Sequence, residues 1–193
     1  RVTKDMIQYH ILNETQYVKT KGVRCYEDYS YLRNTTQVKI QNIQYCTTIY
    51  SALIRKAQCY RVFLPKDMPK FCSGCWNCFT DHTKCPHYGY LKPITDTMDG
   101  PELLIFTAPV YVYHVPGQVK AFLDHFGYRW MPHQPNGKMF KKQALLISTA
   151  AGAGTKSALR DLKDSMTFWG VARTYTFGKL VYATDWDTVD TKI

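Results

Sequence analysis

Two short, unbroken apolar runs, Leu103-Leu104-Ile105-Phe106 and Ala144-Leu145-Leu146-Ile147, constrain this chain more than any other feature. A strand with one wet face would alternate apolar and polar residues, and a buried helix would need a longer stretch. Both runs therefore read as strands covered on both faces, the usual condition of a parallel sheet. Each empties into small residues, Thr107-Ala108-Pro109 in one case and Thr149-Ala150-Ala151-Gly152-Ala153-Gly154 in the other. Each is then followed by a segment of helical period. Past the first, Pro116 can open a helix in which Val119, Phe122, Leu123 and Phe126 form one apolar stripe, with Lys120 and Asp124 toward solvent and Gly127 closing it. Past the second, Leu159, Leu162, Met166 and Trp169 mark a helix ended by Gly170, and a further strand is expected from Tyr175 to Thr184.

The order is thus strand, helix, strand, helix, strand, an α/β pattern in which ligands collect at the carboxyl ends of the strands. Cys59 to Leu64 adds an earlier strand, stopped by Pro65, and a first strand is expected from Val23 to Tyr29. Between them, Val38, Ile43, Thr47, Tyr50 and Leu53 offer a rough helical face within Thr36 to Arg55, weakened by β-branched residues. Glycine and proline are scarce before Phe63: the first 64 residues hold only Gly22 and no proline.

With 193 residues, the chain is sized for one domain, and 15% aromatic residues argue against disorder. The formal charge of +10 invites a nucleic-acid reading, but its lysines and arginines are scattered singly or in pairs without an arginine-rich stripe. A solvated basic surface is the favoured account, and nucleic-acid binding is disfavoured. No run approaches 18 apolar residues, and Arg1-Val2-Thr3-Lys4-Asp5 lacks the apolar core of a signal peptide, so a chain neither secreted nor membrane-spanning is expected.

Four of the seven cysteines fall in one window, Cys72-Ser-Gly-Cys75-Trp-Asn-Cys78-Phe-Thr-Asp-His-Thr-Lys-Cys85-Pro86. Closely spaced thiols without a secretion signal point to metal or redox chemistry in a reducing, cytoplasmic compartment rather than to a disulfide framework. Cys72, Cys75 and Cys78 can ligate one face of a cubane cluster, with Cys85 before proline as the fourth ligand. The gap of six before Cys85 departs from ferredoxin spacing, and tetrahedral zinc suits four thiolates equally well. His82 and His87 could replace a ligand but read rather as exposed loop histidines, and Cys25, Cys46 and Cys59 read as small buried apolar residues.

Residues from Phe63 to Asp187 resemble the flavodoxin-like NAD(P)H-dependent FMN reductases, near their cysteine-cluster branch, the iron-sulfur flavoproteins. The resemblance is carried by Phe63-Leu-Pro-Lys-Asp67, the cysteine window, Ile105-Phe-Thr-Ala-Pro-Val-Tyr111, Gly117-Gln-Val-Lys-Ala-Phe-Leu-Asp-His125 and Ser148-Thr-Ala-Ala-Gly-Ala-Gly154. It implies one flavodoxin-like domain over residues 1–193, with residues 1–57 poorly matched. It further implies a three-layer sandwich, a five-stranded parallel sheet with helices on both faces, and FMN across the strand ends.

On that resemblance, Thr107, Ala108, Pro109, Val110, Tyr111 and Val112 run along the isoalloxazine, although the same residues also serve simply to end a strand. Thr149, Ala150, Ala151, Gly152 and Gly154 match a second flavin loop, where small side chains leave backbone N–H groups free to donate. Here too a tight strand-to-helix turn is an alternative. The family's glycine-containing phosphate loop is replaced by Tyr29-Ser30-Tyr31-Leu32-Arg33-Asn34-Thr35-Thr36, in which Ser30, Arg33, Asn34, Thr35 and Thr36 are either phosphate ligands or an ordinary helix start capped by Asn34 or Thr35.

The leading expectation is an FMN-dependent oxidoreductase that passes electrons from NAD(P)H to a small-molecule or redox-protein acceptor, or to a [4Fe-4S] centre at Cys72, Cys75, Cys78 and Cys85. No side-chain acid or base is required. The alternatives are a non-enzymatic four-cysteine zinc module with a basic surface, and a flavodoxin-like shell that has lost FMN. A homodimer or homotetramer is expected, since Trp76, Phe79, Tyr111, Tyr113, Tyr128 and Trp130 exceed what one sheet and its helices readily bury.

Overall fold

The computed structural model describes residues 23–28, 59–132 and 136–182. Five strands, β1 (Val23–Asp28), β2 (Cys59–Leu64), β3 (Leu103–Pro109), β4 (Gln143–Ala150) and β5 (Arg173–Leu180), make one sheet in the order β2-β1-β3-β4-β5, with every pairing parallel. The helices are α1 (Asn77–Thr80), α2 (Tyr88–Asp99), α3 (Gly117–Asp124), α4 (Gly127–Trp130) and α5 (Thr155–Phe168), with 3₁₀ turns at His82–Lys84 and Gly137–Lys141.

The path from β2 to β3, β4 and β5 steps across the sheet in one direction. Because parallel crossovers are right-handed, the connecting helices must share a face. They do: Leu91, Ile94 and Met98 of α2, Val119, Phe122 and Leu123 of α3, and Ala158, Leu162 and Met166 of α5 join one buried cluster with Leu104 and Phe106 of β3 and Ala144 and Leu146 of β4. The intervening residues Ile105, Leu145 and Ile147 point the other way and are buried too, which is why these strands carry no polar alternation. The return from β1 to β2, including the helix expected within Thr36 to Arg55, lies outside the described residues.

Phe106, Phe122, Phe126 and Trp169 pack at ring separations of 4.8 to 6.4 Å, so the stripe read from α3 does meet the sheet. Lys120 and Asp124 pair with each other on the exposed side. Gly170, at φ 82°, follows α5 as expected, and a Cβ there would strike the Phe140 ring.

Two boundaries and one helix differ from the sequence reading. Gly127 does not close α3; His125 caps it by donating its N–H to Phe122 and Leu123, and Gly127 opens α4. The last strand begins at Arg173, set by its pairing with Gln143 at the start of β4; it ends at Leu180, while Thr184 lies outside the described residues. Helix α2 has no counterpart among the expected elements. Pro93 sits inside it, the residue that normally argues against a helix, yet Leu91, Ile94 and Met98 bury its inner face.

Candidate functional site

The register between β3 and β4 sets Pro109 level with Thr149, so both strands empty at one edge. Val110 continues the contact by donating its N–H to the Thr149 carbonyl at 2.9 Å. On the far side, Val181 and Tyr182 donate to Ala150 and Ala151, fixing the start of the β4–α5 loop. The chain beyond β3 closes on itself at once: the Tyr111 and His114 N–H groups each donate to the other's carbonyl, at 2.9 and 3.0 Å. The two residues inside that turn, Val112 and Tyr113, take φ of 47° and 68°, a left-handed conformation unfavourable for residues with a Cβ.

Gly154 joins the two loops. Its φ is 98°, and a Cβ there would lie 2.6 Å from Val110 Cγ1 and 3.0 Å from Tyr113 Cα. Glycine is thus required for contact between the loops. Gly152 differs, since nothing lies within 4 Å of a Cβ built on it, and its neighbours Ala151 and Ala153 are exposed. The edge is therefore a small-residue shelf with open space above it, beside the first turn of α5 and the positive end of its dipole. A planar ring and an electron-rich edge fit such a shelf.

The expected flavin-loop residues divide into three groups. Thr107, Ala108, Pro109, Thr149 and Ala150 are buried, so their side chains form the floor, and Val110 and Gly154 are half-buried where the loops meet. Tyr111, Val112, Ala151 and Gly152 face outward and are the accessible members. Sequence reading missed His114 as part of this edge: its Nδ1 lies 3.1 Å from Asp161 Oδ2, and the Val115 N–H donates to the same oxygen at 3.4 Å. Ser30, Arg33, Asn34, Thr35 and Thr36 lie outside the described residues.

The cysteine window behaves otherwise than its spacing implies. Among the described residues, which include Cys72, Cys75, Cys78 and Cys85, no three His, Cys, Asp or Glu side chains form a group able to hold a metal ion. The thiols are free, two exposed and two partly buried, and do not fit a [4Fe-4S] or zinc ligand set in this structure. Between Cys78 and Cys85, Asp81 accepts from the Thr83 N–H and hydroxyl and starts the 3₁₀ turn that leads to Cys85. The Cys75 thiol is lowered by the Asn77 N–H and then by the Ser73 hydroxyl, whereas burial raises Cys78, with its neighbouring cysteines adding, and burial also raises Cys85.

His87 is not an exposed loop histidine. It is half-buried, with Nδ1 at 3.1 Å from Nε2 of buried His125. His125 Nδ1 donates to the Ala121 carbonyl at 2.7 Å, so Nε2 of its neutral ring accepts from His87. Burial lowers the pKa of His125. Arg129, also buried, is held by Asp99 at 3.4 Å and lies over the Phe126 ring.

The NADPH-dependent FMN reductase family model matches residues 51–186, a span that takes in both carboxyl-edge loops and the cysteine window. The chain belongs to this family. A curated relative, FMN-dependent NADH:quinone oxidoreductase 2 from Pseudomonas putida, is 29% identical over 87 residues. That match covers 40% of this chain and 44% of the relative, so the chain matches less than half of that protein's length.

Among solved structures, azoreductase AzrA aligns with a TM-score of 0.60 at 13% identity, covering 81% of this chain and 87% of its own. An FMN-dependent NADH-azoreductase from Bacillus anthracis, solved in complex with FMN, aligns at 0.59 and 12% identity, covering 82% and 86%. An apo NADH:FMN oxidoreductase aligns at 0.54 and 20% identity, covering 82% and 76%. These likenesses establish the flavodoxin-like α/β fold for this FMN reductase family member. No helix among its described residues is long and apolar enough to cross a membrane.

Proposed function

We propose that this chain binds FMN along the edge formed by Thr107–Val112 and Thr149–Gly154 and uses it to carry electrons from NAD(P)H to a small-molecule acceptor. The observation that carries this reading is the shelf itself. Two strand-end loops are locked together at Gly154, while the backbone beside Gly152 stays open to approach. FMN bound there would supply hydride acceptance from a nicotinamide and electron delivery to the acceptor. The chain's part is to hold and orient the ring. Backbone N–H groups at Ala151 to Gly154 donate to its edge, and Tyr111 and Val112 wall one side. The positive end of α5 favours negative charge nearby.

Ser30, Arg33, Asn34, Thr35 and Thr36 are assigned to the phosphate, where a guanidinium and hydroxyls suit a dianion. Within the family, the spacing of Cys72, Cys75, Cys78 and Cys85 supports assignment to the cysteine-bearing branch, with no electron step routed through a metal. Trp76, Tyr111, Tyr113 and Trp130 are 59%, 40%, 62% and 42% exposed, and a homodimer would cover them. Cytoplasmic localisation accords with the free thiols.

The test is reconstitution. Protein stripped of flavin is titrated with FMN, followed by flavin fluorescence, and then supplied with NADH or NADPH and a quinone. Saturable binding and acceptor-dependent nicotinamide oxidation are expected. Failure to bind FMN at micromolar protein overturns the reading.

A further inference from the structure

We infer that Asp161 is a positioning residue for the FMN edge: through His114 and the Val115 N–H it clamps the strained turn Tyr111–His114 in the one arrangement that receives the flavin. The inference rests on the FMN reading above for its purpose, and on the following geometry for its substance.

The turn adopts a conformation its sequence does not favour. Val112 and Tyr113 sit consecutively at positive φ, where glycine or asparagine is the usual occupant, and valine's branched Cβ makes the position harder still. Such a conformation persists where its surroundings over-determine it. Burial does not hold it, because Val112 is 93% and Tyr113 62% exposed. The restraints instead come from its base. Tyr111 and His114 close the turn through their backbone, and Gly154 meets Val110 and Tyr113 from the start of α5.

Asp161, two turns further along the same helix, supplies a further restraint. One carboxylate oxygen, Oδ2, receives both His114 Nδ1 at 3.1 Å and the Val115 N–H at 3.4 Å. An ionised carboxylate only accepts, so His114 carries its proton on Nδ1. Helix α5 thus grips the loop at both ends, by close packing at Gly154 and by charge-assisted bonds at Asp161. The carboxylate is not needed for the core, which α5 serves with Ala158, Leu162 and Met166. A loop held this way before the ligand arrives loses less conformational freedom on binding.

The experiment compares wild type, Asp161→Ala and Asp161→Asn by hydrogen exchange of the flavin-free protein, FMN titration and visible circular dichroism of the bound flavin. Asp161→Ala is expected to speed exchange across residues 111–115 and to weaken FMN binding about tenfold, the scale of losing charge-assisted bonds at a partly exposed site. It should also alter the flavin's dichroism. Asp161→Asn keeps an oxygen acceptor for the Val115 and His114 N–H groups, and should restore much of the affinity and the dichroic band. Unchanged exchange at residues 111–115 in Asp161→Ala overturns the clamp, whatever FMN does. Unchanged FMN affinity and dichroism alongside faster exchange overturns the positioning role. Equal losses in both variants, matched by equal falls in unfolding temperature, show a merely structural residue and also overturn it. Wild type that binds no FMN overturns the functional reading instead.

Discussion

Replacing Gly154 by alanine separates a glycine that geometry demands from one that merely ends a strand. The added Cβ would stand 2.6 Å from Val110 Cγ1 and 3.0 Å from Tyr113 Cα, inside the range that real contacts avoid. The second of these is backbone, held by the Tyr111–His114 hydrogen bonds, so it does not simply rotate away. The backbone term adds to the clash, because φ 98° is a glycine conformation and an L-residue there costs about 1–2 kcal/mol. Overpacking a tight contact costs about 1–3 kcal/mol more, giving a total of about 2–5 kcal/mol. For a chain of this size, that is a fall of roughly 5–15 °C in unfolding temperature. Gly152→Ala is the internal control: nothing lies within 4 Å of its Cβ, so its stability should stay within about 0.5 kcal/mol of wild type. Urea and thermal unfolding of both variants decide the matter. Gly154→Ala as stable as Gly152→Ala would show that the two loops are not in the contact described.

His125, whose pKa burial lowers from 6.5, contributes stability that is complete above that value and lost as pH falls below it, with a slope of at most about 1.4 kcal/mol per pH unit. Urea unfolding at pH 7.5 and 5.5 should show this loss in wild type and a smaller one in His125→Gln; equal losses would refute it. Iodoacetamide should modify exposed Cys75, whose thiol is lowered, ahead of half-buried Cys78 and Cys85, whose thiols are raised; time-resolved peptide mapping reads the order. Leu162→Ala removes a fully buried side chain from the α5 face, and a loss of about 2–5 kcal/mol in urea unfolding is expected.

The middle of the sheet was legible because one physical signal dominated there. Leu104–Phe106 and Ala144–Ile147 are buried on both faces, so they lack polar residues, and the apolar stripe that begins in α3 and runs to Phe126 answers them. Helix α2 was hidden by Pro93, whose local cost outweighs the sparse triad Leu91, Ile94 and Met98 until packing against the sheet is counted. The cysteine window is a different case. Spacing brings Cys72, Cys75, Cys78 and Cys85 near enough that neighbouring thiols help raise Cys78, but it does not specify the finer convergence that ligation requires.

The pairing of His114 with Asp161 spans 47 residues and leaves no local trace. It becomes derivable only after two steps. Parallel pairing sets Pro109 level with Thr149, which brings the segments after them to one edge. The first of those segments is a turn with no glycine at either left-handed position, so it needs support from outside itself. The nearest rigid element is the helix that the second segment begins. Within reach of the turn, its first two turns offer a glycine at the start and a carboxylate at Asp161, and the structure uses both. Unfavourable turn chemistry at the carboxyl end of a parallel strand is therefore a signal in its own right. It directs attention to the neighbouring helix for the residue that compensates, and that residue is found on the helix that follows the partner strand rather than near the turn in sequence.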